Sequence, residues 1–234
     1  IWRCFSHWIG GMGVLVFILT LLPLAGGYHM NLMKAESPGP SVGKLLPKVQ
    51  ATAKILYKIY IALTVVLIIL LLLGGIPLYD SLCAAFGTAG TGGFGIKPDS
   101  MGSYSLYIQI VITVFMILFG VNFNVYFLLL TKKFSQALKS EEVRCYFIVI
   151  IVSALMITFN VRHLFNNVWE ALQQSFFQVG SIITTTGYAT TDYNQWPAVS
   201  RTILVLLTFC GACAGSTGGG IKISRLLLLA KSVR

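Results

Sequence analysis

The chain has 234 residues, of which 56% are hydrophobic and only 10% charged, with a mean hydropathy of +0.81. Soluble domains run near a quarter charged, so this composition cannot build a solvated surface, and the natural solvent of the chain is lipid. The net charge of +10 calls for no nucleic acid partner, because Lys and Arg gather on the cytoplasmic loops of membrane proteins.

In chain order, the first hydrophobic segment runs from about Ile9 to Tyr28 and opens with Gly10, Gly11 and Gly13, small residues that let helices pack closely in lipid. The chain starts at Ile1 and enters this segment almost at once without a cleavable signal peptide, so a missing N-terminal part is expected. A polar stretch with Pro38, Gly39, Pro40 and Pro47 follows and reads as a loop with an amphipathic lead-in. The second span is about Ile55 to Leu73. A short amphipathic piece, Leu78 to Phe86, then leads into the Gly-rich run Gly87 to Gly95. The third span is about Tyr104 to Leu130, followed by a charged connector with Lys132, Lys133, Lys139, Glu141, Glu142 and Arg144. The fourth span is about Cys145 to Phe159. A second amphipathic piece, Val168 to Val179, leads into Ile183-Thr184-Thr185-Thr186-Gly187-Tyr188. The last full span runs from near Thr202 to about Ala214, breaks at Gly215-Ser216-Thr217-Gly218-Gly219-Gly220, and gives way to an apolar run from Ile221 to Ala230.

The order is a helix, then helix–short loop–helix twice, which is an internal repeat. Placing Gly93-Phe94 on Gly187-Tyr188 aligns the two loops: each has a Thr two residues before its Gly and an aromatic just after it, with Asp99 and Asp192 following. If both loops enter from outside, 13 of the 17 Lys and Arg fall on inner segments, leaving Arg3, Lys97, Arg162 and Arg201 outside. That bias sets the orientation.

Non-helical backbone is tolerated at membrane depth only where it is buried in protein or lines water. Thr91-Gly92-Gly93-Phe94-Gly95 and Thr185-Thr186-Gly187-Tyr188-Ala189 both have the pattern of the TVGYG strand of potassium channels. A potassium ion must exchange its water shell for oxygens placed around it. A row of backbone carbonyls supplies them when the chain adopts angles that Gly accepts, and a Thr hydroxyl adds another oxygen at the inner mouth. A short helix ending at each loop would aim its partly negative C-terminus at the cation.

With these motifs in place, the chain resembles the Trk/Ktr/HKT superfamily of potassium transporters, most of all its bacterial Trk branch. Trp8-Ile9-Gly10-Gly11-Met12-Gly13, Glu36-Ser37-Pro38-Gly39-Pro40, the two loops, and Ala214 to Lys222 carry the resemblance over nearly the whole chain. It implies an all-α membrane protein of repeated helix–pore loop–helix units around a pore with re-entrant selectivity-filter loops. On that pattern residues 1–30 are the closing helix of a first unit, 31–52 a cytoplasmic linker, 53–130 the second unit, 131–143 another cytoplasmic linker, and 144–234 a third unit with a Gly-rich broken inner helix. The first unit's filter and a fourth unit are absent from the sequence. The implied potassium-binding filter residues are Gly90, Thr91, Gly92, Gly93, Thr184, Thr185, Thr186 and Gly187. The implied gate, an intramembrane segment beneath the filter, is Gly215, Ser216, Thr217, Gly218, Gly219 and Gly220. Unit two departs from the pattern in carrying Gly92 at the variable position. The resemblance further implies multi-pass residence in the cell (inner) membrane, potassium as the transported ion with no cofactor, a homodimer, and a cytosolic nucleotide-binding regulatory subunit.

Other readings compete. Gly215 to Gly220 ahead of Lys222 has the look of a phosphate loop, but Ile221 intervenes and no strand precedes it. Cys210 and Cys213 form a CxxC that would suit a membrane redox enzyme. With no second CxxC and no nearby His they read as packing residues. His7, His29 and His163 have no metal-ligand spacing. Glu170 reads as a helix N-terminal charge, and Arg201 as a snorkelling residue at an outer helix end. No paired carboxylate or nucleophile–base pair points to an enzyme. The expected function is potassium uptake through a selective, gated channel-like pore. The alternative is potassium symport coupled to protons or sodium.

Overall fold

The computed structural model describes residues 1–13 and 49–232. The run from 14 to Tyr28, most of the 31–52 linker, and Glu36 to Pro40 lie outside the described residues.

Among the described residues the chain is helical. Helix α1 spans Trp2–Trp8 and passes into a π turn at Ile9–Gly13. Helix α2 spans Val49–Leu73; at 1.5 Å per residue it is about 37 Å long, enough to cross a bilayer core of about 30 Å. Its buried residues Tyr60, Thr64, Leu67 and Leu71 recur every three or four positions, which puts one stripe against the protein and leaves Val65, Val66, Ile69 and Leu73 exposed. Gly75 turns the chain with φ +83, and Pro77 then opens α3, Leu78–Ala89.

The third span is two helices. Helices α4 (Leu106–Phe119) and α5 (Phe123–Leu130) meet at 90° across Gly120, Val121 and Asn122. The break is capped rather than frayed: the Asn122 side chain accepts the Asn124 N–H at 2.9 Å. After the short α6 (Phe134–Leu138) comes α7, Glu141–Val161, buried along Tyr146, Ile150, Ala154, Ile157 and Val161. Helix α8 spans Val168–Ile183, α9 Ala198–Phe209, and α10 Ile223–Ser232. Among the described residues two helices are long and apolar enough to cross a membrane, or three if the bent pair is one span. This helical fold is that of a multi-pass membrane protein.

The last full helix ends at Phe209, five residues earlier than the composition predicts. Cys210 forms a parallel bridge with Ile221, and the Gly211 N–H donates to the Ile221 carbonyl at 2.7 Å. Those pairings extend the backbone before the glycines are reached. One core gathers Tyr60, Leu67, Ile112, Met116 and Phe119; the other gathers Tyr146, Ile150, Ile157, Leu204 and Leu207. Phe177 on α8 and Tyr188 in the loop after it sit in the first core. The two repeats are therefore interlocked.

Candidate ion site

The two Gly-rich loops follow α3 and α8 with one backbone plan repeated 94 residues apart. The Gly90 N–H donates to Phe86 and the Thr184 N–H to Gly180; the Thr91 N–H donates to Thr88 and the Thr185 N–H to Ile182. Gly92 and Gly93 both turn back to the Gly87 carbonyl, at 2.7 and 3.4 Å, as Thr186 and Gly187 turn back to that of Ser181, at 2.9 and 3.3 Å. Left-handed backbone recurs at the same two places, Thr91 (φ 50) with Thr185 (φ 57), and Gly93 (φ 66) with Gly187 (φ 85). For Thr that conformation is costly, about 1–2 kcal/mol for an L-residue. Its recurrence shows that the tertiary structure imposes it in both loops.

This geometry leaves oxygens free. Among the described residues no hydrogen bond reaches the carbonyls of Thr91, Gly92, Gly93, Thr185, Thr186 or Gly187. Backbone carbonyl oxygens of this kind can coordinate a cation. The C-terminal ends of α3 and α8 add partial negative charge at the same loops.

The side chains are divided in role. Thr184 and Thr186 are buried, and their hydroxyls pair with each other at 2.8 Å. Thr91 and Thr185 instead reach the Gly-rich segment. The Thr91 hydroxyl donates to the Thr217 carbonyl at 3.1 Å, and the Thr185 hydroxyl accepts the Gly219 N–H at 2.7 Å. A cavity of about 450 Å³ opens here, lined by Thr91, Thr185, Thr217 and Gly219 together with His7 and Gly11. Gly90 and Thr184 close the two short helices in equivalent conformations, φ −84 and −86. Of the eight predicted filter residues Gly90, Thr91 and Thr185 line this cavity, with Thr217 and Gly219 of the predicted gate, while Gly93 lies against the Thr186 carbonyl of the other loop.

The segment from Cys210 to Lys222 is held from three sides. The helix break supplies the Gly120 carbonyl to the Cys213 N–H (3.1 Å) and the Phe119 carbonyl to Thr217, while the Phe123 N–H donates to Gly215 (3.0 Å). Glu142, buried at the start of α7, accepts the Ala214 N–H at 2.6 Å. Lys222 donates back to the Gly218 carbonyl. By sequence Glu142 reads as one of the connector charges, and this role is not apparent there. A carboxylate within one turn of a predicted span was the available signal.

Asp99 and Asp192 serve local turns. Asp192 accepts the backbone N–H of Asn194 at 3.0 Å. Asp99 accepts from Ser103, whose hydroxyl holds the Asp99 carboxyl below its ordinary range. Among the described residues no group of three His, Cys, Asp or Glu is placed to hold a metal ion.

The TrkH family, described as a cation transport protein, matches residues 1–234. The chain belongs to the TrkH family. The Trk system potassium uptake protein TrkH of Salmonella typhimurium is 35% identical over 237 residues, covering 98% of this chain and 49% of the relative. TrkH of Vibrio parahaemolyticus is 36% identical over 238 residues, covering 97% and 48%. TrkG of Escherichia coli is 33% identical, covering 98% and 48%. The crystal structure of the potassium transporter TrkH from Vibrio parahaemolyticus superposes with a TM-score of 0.80 at 30% identity, over 99% of this chain and 48% of that one. The chain thus spans about half the length of the TrkH relatives it matches. These relatives are named for potassium uptake and not for an enzymatic reaction, so the redox reading of Cys210 and Cys213 falls away.

Proposed function

We propose that this chain supplies the second and third quarters of a potassium-selective pore that takes potassium up across the cell membrane, with Cys210 to Lys222 as its gate. The carrying observation is the loop plan repeated at a 94-residue spacing, with left-handed Thr and Gly at equivalent places and carbonyls that no donor among the described residues reaches. Such oxygens replace the hydration shell of an alkali cation without fixing it as tightly as a carboxylate would. The names of the relatives point to the same ion. The gate reading is supported by the bonds from Thr217 and Gly219 to Thr91 and Thr185. In this arrangement the segment occupies hydroxyls that a passing ion would use. The basic ends of the inner elements, Lys132, Lys133, Lys139 and Arg225, offer a face for the cytosolic nucleotide-binding regulatory subunit that the Trk resemblance implies. The same resemblance carries the homodimer.

The test is ion flux through the full-length protein in sealed vesicles. Potassium should pass in clear preference to sodium, and rubidium, of similar size, should compete. Equal permeation of sodium and potassium would sink the assignment.

A further inference from the structure

We infer that Gln109 is a positioning residue for ion selectivity, holding the outer end of the third repeat's loop in register with the second repeat. The inference rests on the reading of the two loops as filter strands.

Gln109 lies on α4, a helix whose other residues are apolar apart from Tyr107 and Thr113, and is buried. An amide in such a place is costly unless its donors and acceptor are used. Its Nε2 faces three carbonyls, Met101 at 3.1 Å, Gly102 at 3.3 Å and Tyr104 at 3.1 Å. Two hydrogens against three acceptors keep that side satisfied and fix which way the amide points. Its Oε1 accepts from Gln173 Nε2 on α8 at 2.7 Å. One side chain therefore ties the inner helix of one repeat to the short pore helix of the next.

The turn that Gln109 grips touches the other loop directly. The Met101 N–H donates to the Ala189 carbonyl at 2.9 Å, and the Ala189 N–H donates to the Ser100 hydroxyl at 3.2 Å. Ala189 lies two residues beyond Gly187. On the far side of the same strand Gln174 bonds to the Thr190 hydroxyl, and Gln178 Nε2 donates to the Thr191 carbonyl at 3.4 Å. The strand leaving Gly187 is clamped between a turn set by Gln109 and two amides of α8. The spacing of the filter carbonyls is then set from outside the loop, by a residue that does not touch the ion.

The experiment is the potassium-to-sodium permeability ratio of the full-length protein in vesicles, read beside protein amount and potassium flux per molecule. Gln109→Leu should lower the ratio about tenfold, the scale on which one lost buried hydrogen bond acts, while potassium still passes. Gln109→Glu keeps the acceptor for Gln173 but turns oxygens toward three carbonyls, and should lower it as far. Gln173→Leu leaves the turn gripped and leaves Gln109 Oε1 the Gln174 Nε2 donor at 3.5 Å, and should lower the ratio less than Gln109→Leu does. Ser100→Ala removes one contact from the turn to the strand, and should lower the ratio in the same direction even where the Gln109 variants fail to assemble. A wild-type ratio in an assembled Gln109→Leu protein, or in Ser100→Ala, overturns the inference. So does a loss in Gln173→Leu equal to that in Gln109→Leu. A wild-type protein without potassium preference would instead overturn the filter reading itself.

Discussion

Gly93 and Gly187 take equivalent left-handed conformations, yet their surroundings differ. A Cβ on Gly93 would be driven into the Thr186 carbonyl, while a Cβ on Gly187 would meet nothing within 4 Å among the described residues. At Gly187 the penalty is therefore backbone strain alone, about 1 kcal/mol for Ala in a left-handed position. At Gly93 a collision with the neighbouring loop is added, and one loop must move away from the other. Gly93→Ala is expected to abolish discrimination between potassium and sodium and to lower the amount of folded protein. Gly187→Ala should fold normally and lose only part of the discrimination. Permeability ratios and detergent-solubilised yields for the two variants check this, and equal effects would contradict the described packing between the loops. Tyr188 shows the same dependence on a small neighbour. Its hydroxyl donates to the Ala84 carbonyl at 3.3 Å, against a face of α3 that is open only because Gly87 lacks a side chain.

At the scale of elements, two helix breaks fit each other. The 90° bend between α4 and α5 exposes the Phe119 and Gly120 carbonyls, and the segment after α9 consumes both. Neither element has its backbone satisfied without the other. Glu142 fixes the segment at Ala214, just ahead of its glycines. A hydrogen bond to a charged group contributes about 1.5–3 kcal/mol, so its loss shifts an equilibrium between held and released segments roughly tenfold or more. Glu142→Ala is expected to raise potassium flux per molecule at an unchanged potassium-to-sodium ratio, and Glu142→Gln, which keeps a neutral acceptor, to fall between. Flux no higher in Glu142→Ala than in wild type would separate this contact from gating. These breaks were only half legible in the sequence. The glycines at Gly215 to Gly220 announced an interruption, but its start at Cys210 follows from pairing with Ile221, a contact invisible to local composition. The bend at Gly120 was hidden because α4 and α5 are both apolar and together have the length of one span. Gln109 was passed over for the same reason, as one polar residue in an apolar run. The loops were legible because their chemistry is local: Gly and Thr at fixed spacing report the backbone that the site needs.

At the scale of the whole chain, the governing division among the described residues is between exposed apolar faces and faces turned to the other helices. Helix α7 displays it well, because both faces are hydrophobic and the sequence pattern distinguishes them poorly. Ala154 is fully buried, whereas Val152, two residues before it, is 49% exposed. Apolar character is demanded on both sides, by solvent on one and by packing on the other. The two faces should then fail in different ways. Val152→Lys puts a charge near the middle of a span and costs about 2.5–3.5 kcal/mol of membrane insertion, so the amount of protein reaching the membrane should fall while the surviving molecules melt normally. Ala154→Phe leaves insertion untouched but overfills a packed interface, at a cost of about 1–3 kcal/mol. Its membrane content should match wild type, with a lower melting temperature in detergent. Membrane fractionation and thermal unfolding of the two variants check the assignment. If Val152→Lys inserted normally and melted early, residue 152 would face protein, and the packing of α7 against α8 would have to be turned about its axis.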